Sequence, residues 1–162
     1  MSVKAAAARW SGPPICRSAG TGGTLRLGMV TIEGVNEVAL RAGEVVLRHY
    51  LARDTWVREK PDGSPVTGVD LAAEAIIRDG LLRLDGTIPY LSEEYELPTY
   101  ETRRAWTRYW LVDPLDGTKE FINRTDEFTV NIAMIEHGEP VLGVVVVPAS
   151  DLLYYARAGK GA

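Results

Sequence analysis

Little in this sequence can serve thiol or disulfide chemistry. Its one cysteine, Cys16, has no partner within the chain, and a lone thiol suits a reducing compartment. Positive charge is also in short supply, with 18 Lys and Arg against 22 Asp and Glu and a net charge of −4. Nucleic-acid binding calls for clustered basic residues, so no such partner is expected. No apolar run approaches the roughly 18 residues of a membrane span. The longest, residues 141–147, contains Gly143 and stops at Pro148, so it reads as a buried strand. Acidic residues are missing from residues 1–28, which carry Lys4, Arg9, Arg17 and Arg26 amid Ala, Gly, Ser and Pro. A transit peptide has this composition, and so does an upstream start codon with Met29 as the true beginning. Either way, residues 1–28 are expected to be disordered.

What remains is an ordinary globular composition, 46% hydrophobic and 25% charged, over a length that fits one domain. Val35, Val38, Ala39, Ala42, Val45, Val46 and Tyr50 recur at three- and four-residue steps, which predicts a helix over 31–51. A turn-rich stretch follows over 60–65. Thr67 stands three residues before Asp70 in capping-box form, and a second helix should run from there to an exit at Gly86. Strands are predicted over 87–91, 108–112, 128–135, 141–147 and 152–156, with 98–107 a loop or short helix and 136–140 a hairpin loop. The fold class is therefore α+β, two helices packed on an antiparallel sheet. His49, near the end of the first helix, and His137, in the hairpin loop, read as structural or solvent-facing. Trp56, Trp106 and Trp110 read as packing residues.

The chemistry gathers around Asp113 and Asp116. Pro114 fixes one φ between them and Gly117 permits a tight turn, so both carboxylates can face one space. Mg²⁺ favours such oxygen ligands in octahedral geometry, and a net acidic protein that handles an anionic substrate needs a local source of positive charge. Glu93 also lies just past a predicted strand, and a neighbouring strand could bring it alongside. Spacing leaves two readings open: a metal-binding turn, or an Asp-Gly turn signal beside a solvated Glu93-Glu94 loop.

The stretch Trp110-Leu111-Val112-Asp113-Pro114-Leu115-Asp116-Gly117-Thr118-Lys119-Glu120-Phe121 resembles the signature of the inositol monophosphatase superfamily, metal-dependent and lithium-sensitive phosphomonoesterases. Lys119-Glu120-Phe121 is similar to the CysQ type of 3'(2'),5'-bisphosphate nucleotidase, where inositol phosphatases typically read Thr-Asn-Phe. Ser64-Pro65-Val66-Thr67 with Asp70, Leu91-Ser92-Glu93-Glu94, and Glu127 through Ala133 agree, so the resemblance runs from about Val30 to Gly159. It implies the N-terminal half of a layered αβαβα sugar-phosphatase fold, with a metal-binding domain over 29–162. Glu93, Asp113 and the Leu115 carbonyl would hold one Mg²⁺. Asp113 would bridge to a second, also held by Asp116. Thr118 with Glu93 would orient and deprotonate the attacking water. Asp70 would stand behind them or hold a further ion through water, making two or three ions in all. The Gly117 and Thr118 amides would receive the phosphate, and Lys60 would lie on a mobile loop over the site. Two-metal hydrolysis of adenosine 3',5'-bisphosphate to AMP and phosphate is the implied activity, in the cytoplasm or peripherally at the inner face of the membrane. An inositol or sugar phosphatase, or a non-catalytic fragment with weak metal binding, are the alternatives.

The pattern departs in one respect. Members of that family are longer and carry a downstream Trp-Asp-x-Ala-Ala-Gly motif, whose Asp is a further metal ligand, and the motif does not occur here. The C-terminal domain is thus expected to be absent, with self-association through the uncovered sheet as the physical consequence.

Overall fold

The computed structural model describes residues 30–61, 63 and 65–162. The expectations for residues 1–28 and for Ser64 lie outside the described residues. Helix α1 spans Ile32–Ala52, capped by Thr31, whose hydroxyl accepts the Gly34 N–H at 3.1 Å. It ends at Arg53 in the left-handed region. Strands β1 (Val57–Glu59) and β2 (Pro65–Thr67) form an antiparallel ribbon where only a turn-rich connection was expected. Helix α2 is Gly68–Leu84 and opens with the predicted capping box between Thr67 and Asp70. Strand β3 (Tyr90–Ser92) starts later than expected, because Asp85 accepts the Thr87 N–H at 3.0 Å and its hydroxyl at 2.6 Å and holds a turn there.

A short helix α3 (Tyr100–Arg103) crosses the polar segment, and β4 follows over Arg108–Asp116. Helix α4 (Thr118–Asn123), β5 (Thr129–Glu136), β6 (Glu139–Val147), a 3₁₀ turn at Pro148–Ser150 and β7 (Leu152–Arg157) complete the order. The expected five-residue hairpin loop is tighter. His137 and Gly138 alone turn the chain, both at positive φ (50° and 85°), the geometry that matches strand twist in a two-residue turn.

The sheet order is β3-β4-β5-β6-β7. Four strands are antiparallel as expected, and β3 adds to β4 in parallel at the edge. Both long helices cover one face. There Trp110, Val112, Ile132, Met134 and Val144 meet Val35, Ala39 and Val46 of α1 and Ile77 and Leu81 of α2. Each such fully buried aliphatic side chain contributes roughly 1.5–3 kcal/mol. The helical glycines let these layers approach. A Cβ on Gly43 would stand 2.8 Å from Val146, and one on Gly80 2.6 Å from Val38. On the other face Leu111 and Ile135 are buried among partly exposed Leu91, Tyr109 and Ala133. Trp110 packs in the core as expected, whereas Trp56 lies over Gly68 and stays 44% exposed, with the Arg58 guanidinium 4.6 Å from its ring. No helix among the described residues is long and apolar enough to cross a membrane.

Candidate metal centre

The parallel pairing of β3 with β4 brings the acidic residues together. Ser92 lies opposite Val112, and the Glu93 N–H donates to the Val112 carbonyl at 3.3 Å, so Glu93 leaves its strand beside Asp113. Asp113 is only 5% exposed. Burial first, then the negative charges of Glu93 and Asp116, push its carboxyl up to about 8, and Glu93 also bonds it directly. A proton shared between carboxylates marks a place short of positive charge.

Strand β4 continues past the predicted end at Asp113. Asp113 pairs with Asn131 and Asp116 with Thr129, so a bulge absorbs the extra residue and turns Asp116 and Leu115 toward the strand end. Asn131 Nδ2 donates to Asp116 at 3.4 Å. Gly117 then adopts φ 90°, and a Cβ there would lie 2.7 Å from the Glu127 carbonyl oxygen and 3.2 Å from Phe128 Cα, both backbone atoms. Only glycine makes this turn without moving β5.

The turn delivers Thr118, whose Oγ1 lies 3.3 Å from Asp70 Oδ1 and 3.2 Å from the Leu115 carbonyl oxygen. Asp70 is fully buried, and its other oxygen accepts the Thr67 N–H at 2.7 Å and the Thr67 hydroxyl at 2.5 Å. Burial raises its carboxyl, opposed by hydrogen bonds from Thr67 and Thr118. The helix cap and the Thr118 partner are therefore one residue.

Lys60, just past the end of β1, reaches over this cluster. Its ammonium donates to Glu93 at 3.2 Å and Glu94 at 2.6 Å. The Glu94 side chain is nearly buried, and burial raises its carboxyl in spite of Lys60. Lys119, by contrast, is exposed and makes no contact with the cluster among the described hydrogen bonds and ion pairs.

Among the described residues, no three His, Cys, Asp or Glu side chains stand arranged to hold a metal ion. The donor chemistry nevertheless fits Mg²⁺. Glu93, Asp113, Asp116 and the Leu115 carbonyl offer only hard oxygens, and the Asp113 carboxyl is buried beside the negative charges of Glu93 and Asp116. All eight residues singled out from the sequence lie at the β3, β4, α2 and α4 termini or over them. Glu94, Asn131 and Glu74 were given no role there. Glu94 and Asn131 stand inside the matched motifs, and Glu74 gave only its place four residues after Asp70.

A fold with this motif-bearing turn at the end of a mixed sheet defines a family, and the comparisons agree. The chain belongs to the inositol monophosphatase family, whose model matches residues 30–162. Among curated proteins, it is 52% identical over 130 residues to the 3'(2'),5'-bisphosphate nucleotidase CysQ of Escherichia coli O157:H7, covering 80% of this chain and 52% of that protein. The chain spans about half the length of the curated relatives it matches. Of solved structures, CysQ from Bacteroides thetaiotaomicron matches at 41% identity and TM-score 0.63, over 80% of this chain and 46% of that one. The suhB protein from Bartonella henselae matches at 31% identity and TM-score 0.72, over 80% of this chain and 50% of that one.

Proposed function

We propose that residues 30–162 carry the principal metal-ligating elements of a Mg²⁺-dependent phosphomonoesterase that removes the 3'-phosphate of adenosine 3',5'-bisphosphate, giving AMP and phosphate. The observation that carries this reading is the buried Asp113 carboxyl with Glu93 and Asp116 close enough for their charges to act on it. The named relatives support the nucleotide substrate.

In this reading Glu93, Asp113 and the Leu115 carbonyl would hold one ion, and Asp113 with Asp116 would hold a second. When bound, Mg²⁺ supplies the charge that makes a water nucleophilic near neutral pH and stabilises the departing alkoxide. Thr118 Oγ1 donates its proton to Asp70, which leaves its lone pairs to accept from the attacking water. The full burial of Asp70 favours this supporting place over direct metal contact. The Gly117 and Thr118 amides receive the phosphate oxygens. Lys60, which bonds Glu93 and Glu94 at the rim of the site, would contribute positive charge toward the phosphate.

The test compares Mg²⁺-dependent phosphate release from adenosine 3',5'-bisphosphate and inositol 1-phosphate. A kcat/KM favouring the nucleotide by about tenfold or more is the expected outcome. Preference for the inositol ester would overturn the substrate assignment. A second reading, weak metal binding without turnover, draws on the finding that no three ligands are already gathered among the described residues, and the absence of release from either ester would favour it.

A further inference from the structure

We infer that Glu74, which touches none of the proposed ligands, is the positioning residue for the turn that carries Glu93. The inference rests on the assignment of Glu93 as a ligand and extends it one layer into the protein. Glu74 lies in α2, only 6% exposed, beneath Ser92, only 5% exposed. Ser92 Oγ donates to Glu74 Oε2 at 2.5 Å, and Ser92 Oγ in turn accepts the Glu94 N–H at 3.3 Å. With the Glu93 N–H on Val112, the turn is fixed on both sides. Glu74 also stands one helical turn from Asp70, so a single face of α2 serves Thr118 with one carboxylate and Ser92 with the next. The helix thereby sets the spacing between the two sides of the site.

The Tyr90 hydroxyl also faces Glu74, but it and Glu74 Oε1 form no well-aligned hydrogen bond, so the one well-formed side-chain bond of the buried carboxylate is to Ser92. Ala73, Ile77 and Leu81 pack beside Glu74 as part of the apolar core, and the charged groups near it on this helix are Asp70 and Arg78. What the carboxylate provides is a fixed acceptor for the Ser92 hydroxyl, which fixes the hydroxyl's lone pairs toward Glu94. Outer partners of metal ligands commonly affect affinity by about 10–100-fold.

The experiment measures two quantities in the parent chain and in Glu74→Leu, Glu74→Gln and Ser92→Ala. One is the amide hydrogen-exchange rate of Glu94 without metal, and the other is the dissociation constant for Mg²⁺. Glu74→Leu and Ser92→Ala should exchange the Glu94 amide about tenfold faster and bind Mg²⁺ about tenfold more weakly. Glu74→Gln, which keeps an acceptor for Ser92, should restore both quantities. Parental exchange and affinity in Glu74→Leu, or in Ser92→Ala should the leucine variant fail to fold, would overturn the inference. If the parent chain binds no Mg²⁺, the functional reading fails, and the exchange rates decide the role of Glu74 separately.

Discussion

Replacing Gly117 by alanine sets two costs on the turn that delivers Thr118. The first is conformational: φ 90° lies in the left-handed region, which costs a residue with a Cβ roughly 1–2 kcal/mol. The second is steric. The new Cβ would sit 2.7 Å from the Glu127 carbonyl oxygen and 3.2 Å from Phe128 Cα, so the entry to β5 must shift. Overpacking of this kind costs about 1–3 kcal/mol. Together these give a loss of about 2–5 kcal/mol, and at roughly 3 °C per kcal/mol for a domain of this size the melting temperature should fall by about 6–15 °C. Gly138 provides the control. It has nearly the same φ, 85°, and nothing lies within 4 Å of where its Cβ would stand, so Gly138→Ala carries the conformational cost alone. Thermal unfolding followed by circular dichroism reads both variants against the parent. Equal losses in the two would refute the close approach of Gly117 to β5, and with it the geometry assigned to Thr118.

Three further outcomes follow from the same geometry. Tyr50→Phe removes a hydroxyl that donates to Asp126 Oδ1 at 2.5 Å and accepts the Asp126 N–H at 3.3 Å, so urea unfolding should show a loss of about 1–2 kcal/mol; an unchanged midpoint would deny that this link anchors the loop before β5. Asp113 has a native value of about 8, above its ordinary 3.8, so the native state holds its proton more tightly than the unfolded chain does. The stability that proton confers is complete below about pH 4 and is lost as the pH rises through about 8. Metal-free Asp113→Asn should therefore gain stability on the parent across that window and stay ahead above it, and a constant difference at all pH values would contradict the assignment. Lys60→Gln removes the ammonium that competes for Glu93, a partly exposed pair worth about 1 kcal/mol or less. Mg²⁺ titration should show up to about fivefold tighter binding, and weaker binding would mean that Lys60 aids the metal rather than displacing it.

Local signals account for the parts of the fold legible in the sequence. The apolar stripe from Val35 to Tyr50 and the Thr67/Asp70 cap both act within a few helical turns, and both helices lie where those signals place them. The β1–β2 ribbon gave no such signal, since each strand has three residues and β1 is exposed throughout. The strand was expected to end at Asp113, but pairing of Asp116 with Thr129 carries it through a bulge. At the site, the acidic side chains were legible from the motif, while their meeting depends on a parallel contact between β3 and β4 across some twenty residues of chain. No period within the sequence specifies that contact. Glu74 was invisible for a related reason: its burial and its partner Ser92 come from a different element.

The central claim is that Asp113 gives up a proton to accept Mg²⁺ among Glu93, Leu115 and Asp116. Calorimetric titration of Mg²⁺ into the chain near pH 7, repeated in buffers of different ionisation enthalpy, measures binding and proton release together. Saturable binding that releases up to one proton, and that disappears in Asp113→Asn, is the expected result. No binding, or binding that Asp113→Asn leaves intact, would contradict the claim.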